Sequence, residues 1–101
     1  MENNFEKIQE LLRQRAELMA KLNLLPYDGT PEIKENASGK YIYLRKRENG
    51  KLTSKYVDKY SDTIYQLLLK NSKEAKEFKK LIRAIEKDLA NLGFSASDLS
   101  P

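Results

Sequence analysis

The residues best suited to a functional contact are the basic and aromatic ones between Lys40 and Lys59. This segment holds seven basic residues against two acids, a local charge of +5, whereas the whole 101-residue chain carries +4. Concentrated positive charge favours phosphate backbones, because each neutralised phosphate releases counterions, and tyrosines can stack on unpaired bases. The predicted nucleic-acid-binding residues are Tyr43, Arg45, Lys46, Arg47, Lys51, Lys55 and Tyr56.

The same segment is compatible with two other interpretations. One is a protein-interaction module, such as an antitoxin or an inhibitor of a host or phage factor, which would contact an acidic protein partner. The other is a structural hairpin, in which the Arg and Lys residues only keep an edge strand from aggregating. Charge and aromatic placement do not separate these alternatives, and no residue is assigned a base-reading role.

The composition restricts catalytic chemistry. The chain has no Cys and no His, so the commonest zinc ligands, the thiol nucleophile and the imidazole base are missing. No glycine-rich phosphate loop occurs. Carboxylate pairs such as Glu74 with Glu77 lie among lysines at predicted helix starts, where the helix dipole favours acids. We therefore expect a non-enzymatic protein that uses no metal and no cofactor.

A β-hairpin is expected to carry the basic and aromatic residues. Asn49-Gly50 favours a two-residue type I′ turn, because both positions need positive φ. The turn then predicts a register that runs from Glu48 opposite Lys51 to Tyr41 opposite Asp58. One face would carry Ile42, Leu44 and Val57 together with Lys46, Lys51 and Lys55, whereas the other would carry Tyr41, Tyr43, Tyr56, Arg45 and Arg47.

Amphipathic helices are expected on both sides of this hairpin. The first should run from about Asn4 to Leu24, with Asn3 and Glu6 as a capping box and Arg15 reaching the rim or a carboxylate of another helix. A linker from Tyr27 to Gly39 would follow, with one helical turn at 30–32. A short helix should then begin at Ser61, and a long one should run from about Ser72 to Leu92.

The last helix has two contrasting sides. Its apolar stripe matches that of the first helix in length, so the two should pack together. The stripe consists of Ala75, Phe78, Ile82, Ile85, Leu89 and Leu92. Its basic side, which includes Lys76 and Lys80, is interpreted as a solvated face or a second surface for an anionic partner.

The predicted fold class is α+β, in the order long helix, two-stranded antiparallel hairpin, short helix, long helix. Residues 1–94 would form a single domain and residues 95–101 a disordered tail. No window approaches the roughly 18 apolar residues of a membrane span, so we expect a cytoplasmic protein with no membrane partner. Because the two long stripes offer more apolar surface than so short a chain can cover, a homodimer is also expected.

The hairpin also resembles a known family. The residues that carry the resemblance are Gly39 to Leu44, Arg45, Arg47, Gly50-Lys51 and Ser54 to Val57. They are similar to the core of an uncharacterised family of small bacterial and archaeal proteins often associated with mobile elements. Asp58 stands where that family usually has glycine or proline. The resemblance implies a hairpin followed by helices and a mobile-element or defence context, and it implies no mechanism.

Overall fold

The structure, a computed structural model, describes residues 4–94. The elements are α1 (Asn4–Leu24), β1 (Thr30–Asn36), β2 (Gly39–Glu48), β3 (Lys51–Lys59) and α2 (Asp62–Asn91). The predicted bounds of the first helix are confirmed, whereas Asn3 and the predicted disordered tail at 95–101 lie outside the described residues. Within 4–94, no helix is long and apolar enough to cross a membrane.

The described chain divides into two compact units, and one of them is helical. It comprises α1 and residues 76–94, which include the C-terminal part of α2. Ile82, Ile85 and Leu89 of the predicted stripe are buried, while no residue of α1 is fully buried. Arg15 Nη2 lies 3.8 Å from the Glu86 carboxylate, so the predicted ion pair with another helix is confirmed.

The second unit, residues 25–75, contains the sheet and the N-terminal part of α2. The sheet is antiparallel in the order β1-β2-β3, and its core consists of Ile42, Leu44 and Leu68. Val57 and Ile64 pack against this core half-buried. The aliphatic face of the hairpin therefore packs on the first part of α2, which lies in the segment predicted as a separate short helix.

The prediction of a two-stranded hairpin preceded by a linker is wrong, because Thr30–Asn36 form a third strand. Thr30-Pro31-Glu32 has the residue order of a helix start, but pairing with β2 satisfies more backbone groups than one helical turn could. Counted from the two-residue turn at 37–38, Pro31 falls in a pair without hydrogen bonds, so its missing N–H costs nothing. Its ring is buried instead.

The predicted break between a short and a long helix is also wrong, since α2 runs without interruption for 30 residues. Asn71 and Glu74 have capping-box spacing, but neither Gly nor Pro interrupts the helix around them. The side chain of Asn71 donates to the carbonyl of Tyr27 at 2.7 Å. The predicted ends are confirmed: Ser61 Oγ accepts from Ile64 N–H at 3.4 Å, and Gly93 follows the helix with a φ of 86°.

The hairpin register is confirmed from the turn to Tyr43 and is wrong beyond it. Asn49 and Gly50 have φ values of 51° and 79°, as a type I′ turn requires. A bulge next to Ile42 inserts Val57 as an extra residue, so Asp58 pairs with Ile42. Lys59, rather than Asp58, therefore pairs with Tyr41. The bulge keeps Val57 on the core and brings a lysine beside the tyrosines.

Candidate nucleic-acid interface

The candidate site is the sheet surface opposite α2, which we call the tyrosine face. Successive residues of a strand point to opposite faces, so this surface is formed by the residues that alternate with Ile42 and Leu44. Its main members are Glu32 and Lys34 of β1, Tyr41, Tyr43, Arg45 and Arg47 of β2, and Leu52, Ser54, Tyr56 and Lys59 of β3. Four of them are basic and one is acidic, which gives a formal charge of +3.

Three tyrosine rings form the centre of the tyrosine face. The ring centroids of Tyr43 and Tyr56 lie 5.5 Å apart in an edge-to-face arrangement, and those of Tyr41 and Tyr56 lie 6.3 Å apart. The hydroxyl of Tyr41 is 3.0 Å from Ser38 Oγ. Tyr56 contacts both other rings and is still 51% exposed. It is the ring of this cluster that a planar ligand can reach most readily.

Basic side chains flank the rings. Lys34 Nζ lies 4.3 Å from the centroid of the Tyr43 ring, a cation–π contact that covers one face of that ring. Glu32 lies between two cations, 3.9 Å from Lys34 Nζ and 3.6 Å from Arg45 Nη1. Because exposed ion pairs of this kind contribute little, an incoming phosphate can compete for both cations.

The predicted site residues divide between the two faces of the sheet. Tyr43, Arg45, Arg47 and Tyr56 share the tyrosine face, whereas Lys46, Lys51 and Lys55 lie on the side of Leu44, as the register predicts. Lys46 Nζ is 2.8 Å from Asp28 and 2.7 Å from Glu48. Hydrogen bonds to Asp28, which contributes most, and to Glu48 raise the pKa of Lys46. Lys46 is therefore a less available phosphate ligand than either arginine.

Lys55 lines a groove of about 660 Å³ on the same side as Lys46. The apolar part of the groove includes Pro26, Leu44 and Val57, and Asp28 and Glu48 contribute acidic groups. Lys51 is exposed and adjoins the turn. The structure therefore does not bring the three lysines together with the two arginines.

Three charged residues of the tyrosine face were not among the predicted site residues. Glu32 and Lys34 were missed because β1 was not recognised, although Pro31 and Ile33 alternate with them at the period of a strand. Lys59 was missed because nothing in the hairpin pattern indicates the bulge that brings it opposite Tyr41. The positions of Glu32 and Lys34 can therefore be inferred from the alternation in the sequence, whereas that of Lys59 cannot.

A glycine fixes the approach of the chain to β1. Gly29 has a φ of 128°, and a Cβ at this position would lie 2.9 Å from the backbone oxygen of Arg45. Only glycine allows both this backbone angle and this close approach. Gly29 therefore holds the start of β1 against the part of β2 that carries the arginines.

The comparisons with known proteins give one family and no relative of assigned activity. The profile of a domain of unknown function, DUF6788, matches residues 5–66, which include α1 except its first residue, all three strands and the start of α2. No curated protein matches the chain, and no solved structure matches it. Among residues 4–94, no group of three or more carboxylates is placed to hold a metal ion. The tyrosine face lies wholly within the matched residues.

Proposed function

The chain belongs to the DUF6788 family, whose function is unknown, and we propose that the tyrosine face of this member binds an unpaired segment of DNA or RNA. The observation that carries the proposal is the cluster of three tyrosine rings on a sheet face with a charge of +3, where Tyr56 is 51% exposed. Single-stranded nucleic acids are bound in this way, by cations along the backbone and by aromatic rings under the bases.

Each group has a definite role in this proposal. Arg45 and Arg47 neutralise phosphates, because their guanidinium groups are exposed on the tyrosine face. Tyr56 stacks on a base, since its ring is half-exposed. Tyr43 supports Tyr56 from the side and holds Lys34 over its own ring. The binding is independent of base sequence, as stacking and phosphate contacts are.

The test compares the wild type with variants on single- and double-stranded DNA and RNA at two salt concentrations. Arg45→Ala combined with Arg47→Ala should lower the salt slope of single-strand binding by about 0.7 for each phosphate that is no longer neutralised. Tyr56→Ala should weaken binding by about 1–3 kcal/mol with little change in slope, and Tyr56→Phe should restore most of the affinity. The matched control is Lys76→Ala combined with Lys80→Ala, two exposed lysines of α2.

Two results would overturn the proposal, once circular dichroism shows that every variant is folded. One is that the double variant Arg45→Ala with Arg47→Ala binds like the wild type. The other is a wild type that binds none of these polymers at low salt. In either case an acidic protein partner, the alternative expected from the same charges, becomes the hypothesis to test next.

A further inference from the structure

β3 is an edge strand, and its register with β2 determines which of its residues direct their backbone N–H and C=O groups outward. The two-residue turn makes Glu48 and Lys51 a hydrogen-bonded pair, and such pairs then occur at every second position. Lys51, Thr53 and Lys55 thus direct their N–H and C=O groups towards β2. Leu52, Ser54 and Tyr56 direct their N–H and C=O groups outward from the edge of the sheet, away from β2.

The residues with outward backbone groups include those with exposed apolar side chains. Leu52 is 58% exposed and Tyr56 is 51% exposed, and both lie on the tyrosine face. Every residue of β3 except Val57 is exposed. Free hydrogen-bonding groups beside exposed apolar side chains are the features that recruit another strand.

We propose that β3 pairs antiparallel with β3 of a second copy of this chain, about a two-fold axis at Ser54. In this register Leu52 lies opposite Tyr56 of the second copy at both ends of the contact, and Ser54 lies opposite its own equivalent. Leu52 of each copy then packs beside Tyr56 of the other, and about six backbone hydrogen bonds form between the two strands. A two-fold axis requires this kind of self-complementary contact.

The lysines of β3 select this register over its neighbours. With the axis at Ser54, Lys51 lies opposite Val57 and Lys55 opposite Thr53 of the second copy. An axis at Thr53 would place Lys51 opposite Lys55, and an axis at Lys55 would place Lys55 opposite itself. Like charges directly opposite each other destabilise a strand pair. Repulsion between lysines therefore disfavours both adjacent registers, whereas the register with its axis at Ser54 places no lysine opposite another lysine.

The pairing has a consequence for the tyrosine face. The two-fold axis is perpendicular to the sheet, so both tyrosine faces lie on the same side of one six-stranded sheet. Their combined formal charge is twice +3. The pairing itself depends only on β3 and does not rest on the proposed function.

Disulfide trapping tests the register in the full chain, which contains no cysteine of its own. Paired residues across antiparallel strands have Cα atoms about 5.5 Å apart, within disulfide range. Ser54→Cys should give a covalent dimer under mild oxidation. Leu52→Cys, which lies opposite a tyrosine in this register, should cross-link at least 10-fold more slowly. Equal rates for the two variants, or no cross-linking of Ser54→Cys, would overturn the proposal.

A second variant tests the pairing without a covalent bond. Ser54→Pro removes the central outward N–H but no hydrogen bond to β2, so an edge strand should tolerate it. Sedimentation of the wild type at high protein concentration should give twice 11.7 kDa, and Ser54→Pro should shift the mass back to 11.7 kDa. A wild type that stays at the monomer mass, or a Ser54→Pro variant that is folded and still dimeric, would contradict the inferred contact.

Discussion

A single buried amide connects the loop before the sheet to α2. Asn71 is 6% exposed, and its Nδ2 atom donates to the backbone oxygen of Tyr27 at 2.7 Å. Its own Oδ1 atom has no hydrogen-bond partner among the described residues. The spacing of Asn71 and Glu74 predicts a helix cap, but the side chain serves a tertiary contact 44 residues away in the sequence. Sequence spacing alone does not distinguish these roles.

We expect Asn71→Ala to lower the free energy of unfolding by about 1–3 kcal/mol, because the carbonyl of Tyr27 is left without this donor in a partly buried site. Urea denaturation followed by circular dichroism measures the change. Lys70→Ala is the matched control, since Lys70 is the preceding residue of the same helix and is exposed. Equal midpoints for the two variants would show that the amide contributes no stability.

At the scale of elements, the strongest local patterns predict the structure best. The 3.6-residue periodicity of α1 and the Asn49-Gly50 turn give the bounds of the first helix and the position of the hairpin. β1 is harder to predict because four of its seven residues are charged or proline, and its stability comes from pairing with β2. The continuity of α2 is obscured by the capping-box spacing of Asn71 and Glu74, although neither Gly nor Pro interrupts the helix around them.

The candidate site likewise combines residues whose positions follow from a local pattern with residues whose positions depend on pairing between segments. The alternation around the turn predicts that Tyr43, Arg45, Arg47 and Tyr56 share one face, and the structure has them there. The positions of Lys34 and Lys59 depend on a strand and a bulge that arise from pairing between segments. Features set by a local turn or by the alternation within a strand are predictable from this sequence, whereas a bulge that arises only from pairing with the neighbouring strand is not.

The C-terminal part of α2 provides a prediction for the helical unit. Ile85→Ala should destabilise the protein by about 2–5 kcal/mol, because Ile85 is 8% exposed and its truncation leaves a cavity. Leu81→Ala in the same helix should cost much less, since Leu81 is 42% exposed. Thermal or urea unfolding of both variants measures the difference. A cost of less than about 0.5 kcal/mol for Ile85→Ala would contradict its burial in the native protein.

At the scale of the whole molecule, the position of charge matters more than its sum. The net charge of +4 is modest, yet residues 40–59 hold +5 and all other residues together hold −1. Basic residues also occur along α2, where acids such as Glu77 and Glu86 lie among them. A field that steers an anionic polymer should therefore originate at the sheet rather than along the helix.

Two charge-reversal variants of identical net charge test whether association with an anionic polymer depends on the local charge of the sheet or on the net charge of the chain. Arg45→Glu combined with Arg47→Glu brings the chain from +4 to zero, and so does Lys76→Glu combined with Lys80→Glu. If the tyrosine face receives single-stranded nucleic acid, the arginine pair should lower the association rate constant at low salt by about 10-fold or more, because steering acts through the local field. The lysine pair should have a much smaller effect. Stopped-flow measurements with a fluorescent oligonucleotide give both rates, and equal decreases would mean that net charge alone governs the encounter.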